Sequence, residues 1–172
     1  MMSITVPHLL TRCEEAAFST EGLLAAAKSS VAAMVTMDGK ILPEALDREQ
    51  RATHGLAWLA TYVEALRQMV RWGRSLERAK KFGEIEQMIL LAAFGEYLAQ
   101  LSGGIAMSQN EVARLYDMGL SDDEIEGFWS PAVAELVKLG TRREVRASIA
   151  DYMSSTRARC SSPTPVWTTQ WA

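Results

Sequence analysis

The chain has two cysteines, two histidines and five prolines in 172 residues, and no run of apolar residues long enough for a bilayer. Cys13 and Cys160 are too few and too far apart for a disulfide framework or a zinc site, which sets a reducing compartment as the expectation. Charge of one sign is also missing: 18 Lys+Arg stand against 21 Asp+Glu, a net charge of -3. That balance provides no general footprint for nucleic acid. The longest greasy stretch, Met88 to Phe94, lies between Glu86 and Glu96 and falls far short of the roughly 20 residues needed to span a membrane. The first residues, Met1 to His8, lack the basic cluster and apolar core of a secretory leader. A cytoplasmic protein with no membrane and no nucleic-acid partner is expected.

What is present is helical periodicity. Leu10, Cys13, Ala17, Thr20, Leu24, Ala27, Val31 and Met34 recur at three and four, predicting a first helix from about Pro7 to Met37, with Gly22 a point where it can kink. Asp38-Gly39 predicts a reversal. Asp47 reads as the N-cap of a second helix running to about Ala79, along Ala52, Leu56, Leu59, Val63, Leu66 and Val70. A third helix starting near Gly83 is apolar on nearly every side between Ile85 and Leu101, which assigns it to the centre. Three capping-box patterns follow: Ser108 to Glu111 for a fourth helix to about Met118, Ser121 to Glu124 for a short one after Gly119, and Thr141 to Glu144 for a last helix to about Ser154. Pro131 opens another helix through Leu139, ended by Gly140.

The reading is therefore all-α: an antiparallel helical bundle built on two long helices and a central apolar helix, with shorter C-terminal helices and no run of strands. Residues 1-157 form the helical domain. Residues 158-172 change character: prolines 163 and 165, Trp167 and Trp171, and no Asp, Glu or Lys. They read as an irregular tail, the product of a frame shift or truncation.

Residues that carry chemistry are sparse. His8 and His54 lie on different expected helices, and neither has a ligand partner one turn away, so no metal site is assigned. Phosphate-cradling loops and the common nucleophile and zinc signatures are absent. Glu96 stands out because it lies within the most apolar helix; it is either a candidate base, the end of a polar stripe, or one half of a buried pair with Arg67 or Arg71. Arg71, Arg74, Arg78, Lys80 and Lys81 beside Trp72 form a basic cluster, but they also complement the negative end of the second helix. Ser108 to Phe128 has a helix-turn-helix outline, which Asp117, Asp122, Asp123, Glu124 and Glu126 make unfit for DNA phosphates. No catalytic, cofactor-binding or metal residue is assigned.

Several longer phrases carry more information: Asp47-Arg48-Glu49-Gln50, the run from His54 to Arg67, Phe94-Gly95-Glu96-Tyr97-Leu98-Ala99-Gln100-Leu101, and Met107 to Arg114. With a weaker echo at Tyr152-Met153-Ser154, they resemble the N-terminal helical extension of methylsuccinyl-CoA dehydrogenases, which are acyl-CoA dehydrogenase-type flavoproteins. The resemblance covers about Asp47 to Arg157, and the first helix is similar mainly in character. It implies an FAD enzyme in which a glutamate removes the α-proton of an acyl-CoA while the β-hydride passes to the flavin. In that family a catalytic core follows the extension. No T-E-x-x-x-G-S-D-like segment occurs here, and no glutamate matches the family's base, so no role is carried over. The expectation is a non-catalytic scaffold or interface for a dehydrogenase core, without FAD of its own; the alternative is an independent module that binds a protein partner or forms a homo-oligomer.

Overall fold

The computed structural model describes residues 6–157. Tail residues 158–172, with the frame-shift reading attached to them, lie outside the described residues.

Helix α1 (Leu9–Val35) runs without interruption through Gly22. Its buried face, including Leu10, Cys13, Ala17, Thr20, Ala27 and Val31, is largely the expected one, with Leu23 more deeply buried than Leu24. At Asp38-Gly39 both residues take positive φ, and a short antiparallel hairpin, β1 (Thr36–Met37) with β2 (Lys40–Ile41), reverses the chain. Two consecutive left-handed residues match the twist of a tight hairpin, which is why Asp-Gly serves there.

The second helix does not begin at Asp47. Pro43 opens a short helix, α2 (Pro43–Arg48), because its missing N–H is no loss in a first turn. Asp47 lies inside α2, and after a break at Glu49 the long helix α3 (Gln50–Arg78) continues. Ion pairs along its edge run in reverse order, Glu14 with Arg74 and Glu21 with Arg67, so α1 and α3 are antiparallel. Leu59, Val63 and Leu66 are closed off between them, each such side chain contributing about 2 kcal/mol through burial.

Helix α4 (Glu84–Gly103) starts at Gly83, whose N–H donates to the Glu86 carboxylate at 2.9 Å. Met88, Leu90, Leu91, Phe94, Leu98 and Leu101 are buried. It takes the central place expected of it, between α3 on one side and two later helices, α6 (Pro131–Gly140) and α7 (Arg143–Arg157), on the other.

The segment after α4 departs from expectation. No helix follows Ser108. Instead β3 (Ile105–Ala106) pairs antiparallel with β4 (Val112–Ala113), and the N–H groups of Met107 and Ser108 donate to the Glu111 carbonyl at 2.9 and 3.2 Å. The capping pattern at Ser108 to Glu111 thus falls in a hairpin loop, and only a single 3-10 turn, Leu115–Met118, precedes Gly119. Gly119 takes the left-handed conformation (φ 74°) and fits beneath Ser30 and Met34 of α1. Two short hairpins therefore interrupt the all-α order without changing the class.

The Ser121 box forms as expected at the start of α5 (Asp122–Phe128): the Glu124 carboxylate accepts from the Ser121 N–H at 2.8 Å. Ser130 caps α6, its hydroxyl accepting from the Val133 N–H. The Thr141 box does not form. The Thr141 hydroxyl turns back to donate to the Val137 carbonyl of α6 at 2.8 Å, and α7 begins one residue later than the box requires.

Gly140 does more than end a helix. A Cβ there would lie 2.2 Å from the Leu91 carbonyl oxygen, and one on Gly95 would lie 2.6 Å from the Gly140 Cα. The α4–α6 crossing is backbone against backbone, which only glycine allows.

Candidate functional site

Glu96, the residue that most invited a functional reading, is half-exposed and pairs with Arg146 of α7. The expected arginines are engaged elsewhere or exposed: Arg67 bridges Glu21 at 3.1 Å and Glu64 at 3.0 Å, while Arg71 lies at the surface. The buried-pair reading of Glu96 with Arg67 or Arg71 is thereby corrected. Its true partner is fifty residues away on a helix whose position no local pattern discloses.

His54 is exposed on α3, and its Nε2 accepts a hydrogen bond from the Trp58 indole N–H at 3.0 Å. It stands at one end of an aromatic ladder. Trp58 meets Tyr62 edge-on, Tyr62 meets Tyr97 of α4 with ring centroids 4.6 Å apart, and the Tyr62 hydroxyl donates to Gln100 at 2.6 Å. Burial, and then the neighbouring Tyr97, raises the pKa of the Tyr62 phenol. The ladder joins α3 to α4. Its members from α3 recur every four residues, so the helix itself aligns them.

A groove of about 570 Å³ lies beside His54, lined by Gln50, Arg51, Thr53, His54 and Glu111. Arg51 is tied down there, bridging Asp117 at 3.1 Å and donating to the Val112 carbonyl at 2.8 Å. The groove is open and polar. Among the described residues no buried side-chain nitrogen or oxygen lacks a partner, and no cluster of His, Cys, Asp and Glu could hold a metal. A flavin needs an enclosed slot for its flat ring with polar groups aimed into it, and this open groove is not one.

The basic cluster is divided by the fold. Arg74 bridges Glu14 of α1 and Glu77 of its own helix, holding the Glu14 carboxyl below its ordinary range, chiefly through the hydrogen bond they share. Arg78, Lys80 and Lys81 are exposed at the end of α3, and Trp72 packs partly against the core. Ser108 to Phe128 forms a hairpin, a 3-10 turn and one short helix, so the helix-turn-helix outline has no counterpart. His8 is exposed at the start of α1. Cys13 is fully buried, and that burial pushes its thiol pKa far up.

One feature escaped the periodic reading. Phe18, one residue off the buried face of α1, is 78% exposed, with a shallow cleft on each side: Ala17, Val70 and Arg67 on one, Ser130, Pro131 and Ala132 on the other. An aromatic beside, instead of within, a helical seam is the signal that could have found it.

No helix of the described residues is long and apolar enough to cross a membrane. No family model matches the chain. Over 151 residues, 88% of its length, the chain is 45% identical to (2S)-methylsuccinyl-CoA dehydrogenase of Cereibacter sphaeroides, and it spans only 27% of that protein. The similarity is longer than the stretch from Asp47 to Arg157 and so takes in part of α1 as well. The resemblance carried by the central phrases stands: this helical bundle corresponds to one segment, about a quarter, of a larger acyl-CoA dehydrogenase-type protein.

Proposed function

We propose that this chain is a non-catalytic helical domain, of the kind found at the N-terminus of an acyl-CoA dehydrogenase-type flavoenzyme, and that it serves as a scaffold or interface for a dehydrogenase core. The observation that carries the reading is the similarity itself: 45% identity along most of the chain, confined to about a quarter of the relative. Two structural observations support it. Glu96 is held at the surface by Arg146, and the groove beside His54 is open, so neither residue stands in an enclosed pocket. Oxidation of methylsuccinyl-CoA to an enoyl-CoA, with FAD as hydride acceptor, then belongs to the larger protein. The domain's own part is to present surface, not to hold the flavin.

The test is anaerobic titration of the purified chain with FAD and with methylsuccinyl-CoA. Neither stoichiometric flavin retention through gel filtration nor turnover is expected, and either one overturns the reading. A second reading, an independent module that pairs with a protein partner or with itself, is favoured by the exposed Phe18.

A further inference from the structure

The tip of the β1–β2 hairpin carries a reactive pair. Asp38 and Gly39 are both exposed, and Asp38, at φ 51°, is one of three described residues other than glycine held in the left-handed region. The strands behind them are two residues long, so little pairing has to break for the tip to open. Among the described residues nothing holds the reacting atoms: the Asp38 carboxyl has no hydrogen bond or ion pair, and the Gly39 N–H donates to no protein acceptor. Gly39 has no side chain to shield its nitrogen, and the place where a Cβ would stand is open, with nothing within 4 Å.

These are the conditions for ring closure within the chain. The Gly39 nitrogen gives up its proton to water and attacks Asp38 Cγ; a C–O bond of the protonated carboxyl breaks, one water leaves, and a five-membered cyclic imide forms. Water then adds to one of the two imide carbonyls. Attack at Cγ restores the aspartate, while attack at the main-chain carbonyl carbon breaks its C–N bond and leaves Gly39 joined through Cγ, an isoaspartyl linkage. The water lost is regained, and nothing is oxidised or reduced. In the folded turn the left-handed torsions hold the nitrogen away from Cγ, so closure proceeds from the opened tip. The product has one more methylene in the main chain, which a two-residue turn cannot carry while keeping Thr36 opposite Ile41 and Met37 opposite Lys40. The other aspartates are placed differently: Asp47, Asp122, Asp123 and Asp151 lie within helices and Asp117 in the 3-10 turn, each followed by a residue that bears a side chain.

We infer that Asp38-Gly39 is a self-modification site, at which the chain isomerises through a cyclic imide to isoaspartate and thereby undoes the β1–β2 pairing.

The test is incubation of the full chain in heavy-oxygen water at neutral pH and physiological temperature, followed by peptide mapping. The peptide holding Asp38 should take up heavy oxygen and lose its cleavage by an aspartate-specific protease roughly tenfold faster than any peptide holding another aspartate. Asp38→Asn keeps a favoured turn pair and makes ammonia the leaving group in place of water, so it should speed closure at this position about tenfold or more, read as ammonia released. Asp38→Ser should abolish uptake there. In the converted fraction, amide exchange at Met37 and Lys40 should rise while the melting transition of the helices stays in place. Equal uptake at Asp38 and at the helical aspartates overturns the inference, as does an Asp38 peptide that stays unlabelled over months. So does uptake that yields only aspartate, or an isoaspartyl chain whose hairpin amides exchange as slowly as before.

Discussion

Two helix crossings hold this bundle together, and they do so by opposite means. At the α1–α3 crossing, side chains fill the space: Leu59, Val63 and Leu66 of α3 share one buried cluster with Leu23, Ala27 and Val31 of α1, and ion pairs such as Glu14–Arg74 close the edge. At the α4–α6 crossing there is no space to fill, because Gly95 and Gly140 bring two backbones together. The first contact is rich in side-chain adjustment. The second has none, and its tolerance of added atoms should be correspondingly low.

The largest expected effect lies at the glycine crossing. Gly140→Leu places a Cβ and three further carbons where the Leu91 carbonyl and the Gly95 Cα already sit, so α6 must leave α4. A loss above ~4 kcal/mol is expected, enough to abolish a cooperative melt by circular dichroism. A variant melting within a few degrees of the parent would show that the crossing can slide, and the contrast would fail. Leu66→Ala, at the other crossing, removes a fully buried side chain but lets its neighbours relax. It should cost about 3 kcal/mol in urea unfolding with the slope unchanged.

This contrast also marks what could be read from the chain. The interlocked crossing announces itself, since a filled seam demands an apolar residue every three or four positions, and α1, α3 and α4 follow from that. Gly95 and Gly140 carry no such signature: Gly140 reads as a terminator because a glycine after Leu139 is expected to end a helix, and nothing local says that it also faces Leu91. The other misreadings share a cause. Ser108 to Glu111 and Thr141 to Glu144 both have capping-box composition, yet in each a nearby backbone carbonyl takes the hydrogen bond instead, that of Glu111 in a hairpin and that of Val137 in the last turn of α6. The Ser121 box succeeds because Gly119 has already turned the chain. Of the candidate site, Glu96 was legible as the residue set apart by its apolar helix. Arg146 as the mate of Glu96 was not, since ion pairing across fifty residues leaves no period.

The contrast can be sharpened with a glycine in open space. Gly22 lies inside α1 with ordinary helical φ and nothing near its missing Cβ. Gly22→Ala should therefore stabilise the chain by ~1 kcal/mol, opposite in sign to any substitution at Gly140. Thermal melting of the two variants side by side decides it. Destabilisation at Gly22 would mean that backbone freedom, not contact, governs glycine here.

The smallest effect is at the edge of the interlocked crossing, in the Glu14–Arg74 pair. Arg74 lowers the Glu14 pKa in the folded chain relative to the unfolded one. The pair's contribution is thus complete above the unfolded carboxylate value of 4.5 and disappears as pH falls through the lower folded value. Both side chains are partly exposed, which limits that contribution to ~0.5 kcal/mol after screening. Glu14→Gln should accordingly lower stability slightly at pH 7 and leave it unchanged at pH 2, with the two denaturation curves converging as the medium is acidified. An equal deficit at both pH values would assign the loss to packing of the Glu14 side chain instead of its charge. In that event the edge of the α1–α3 crossing would obey the same steric rule as its centre.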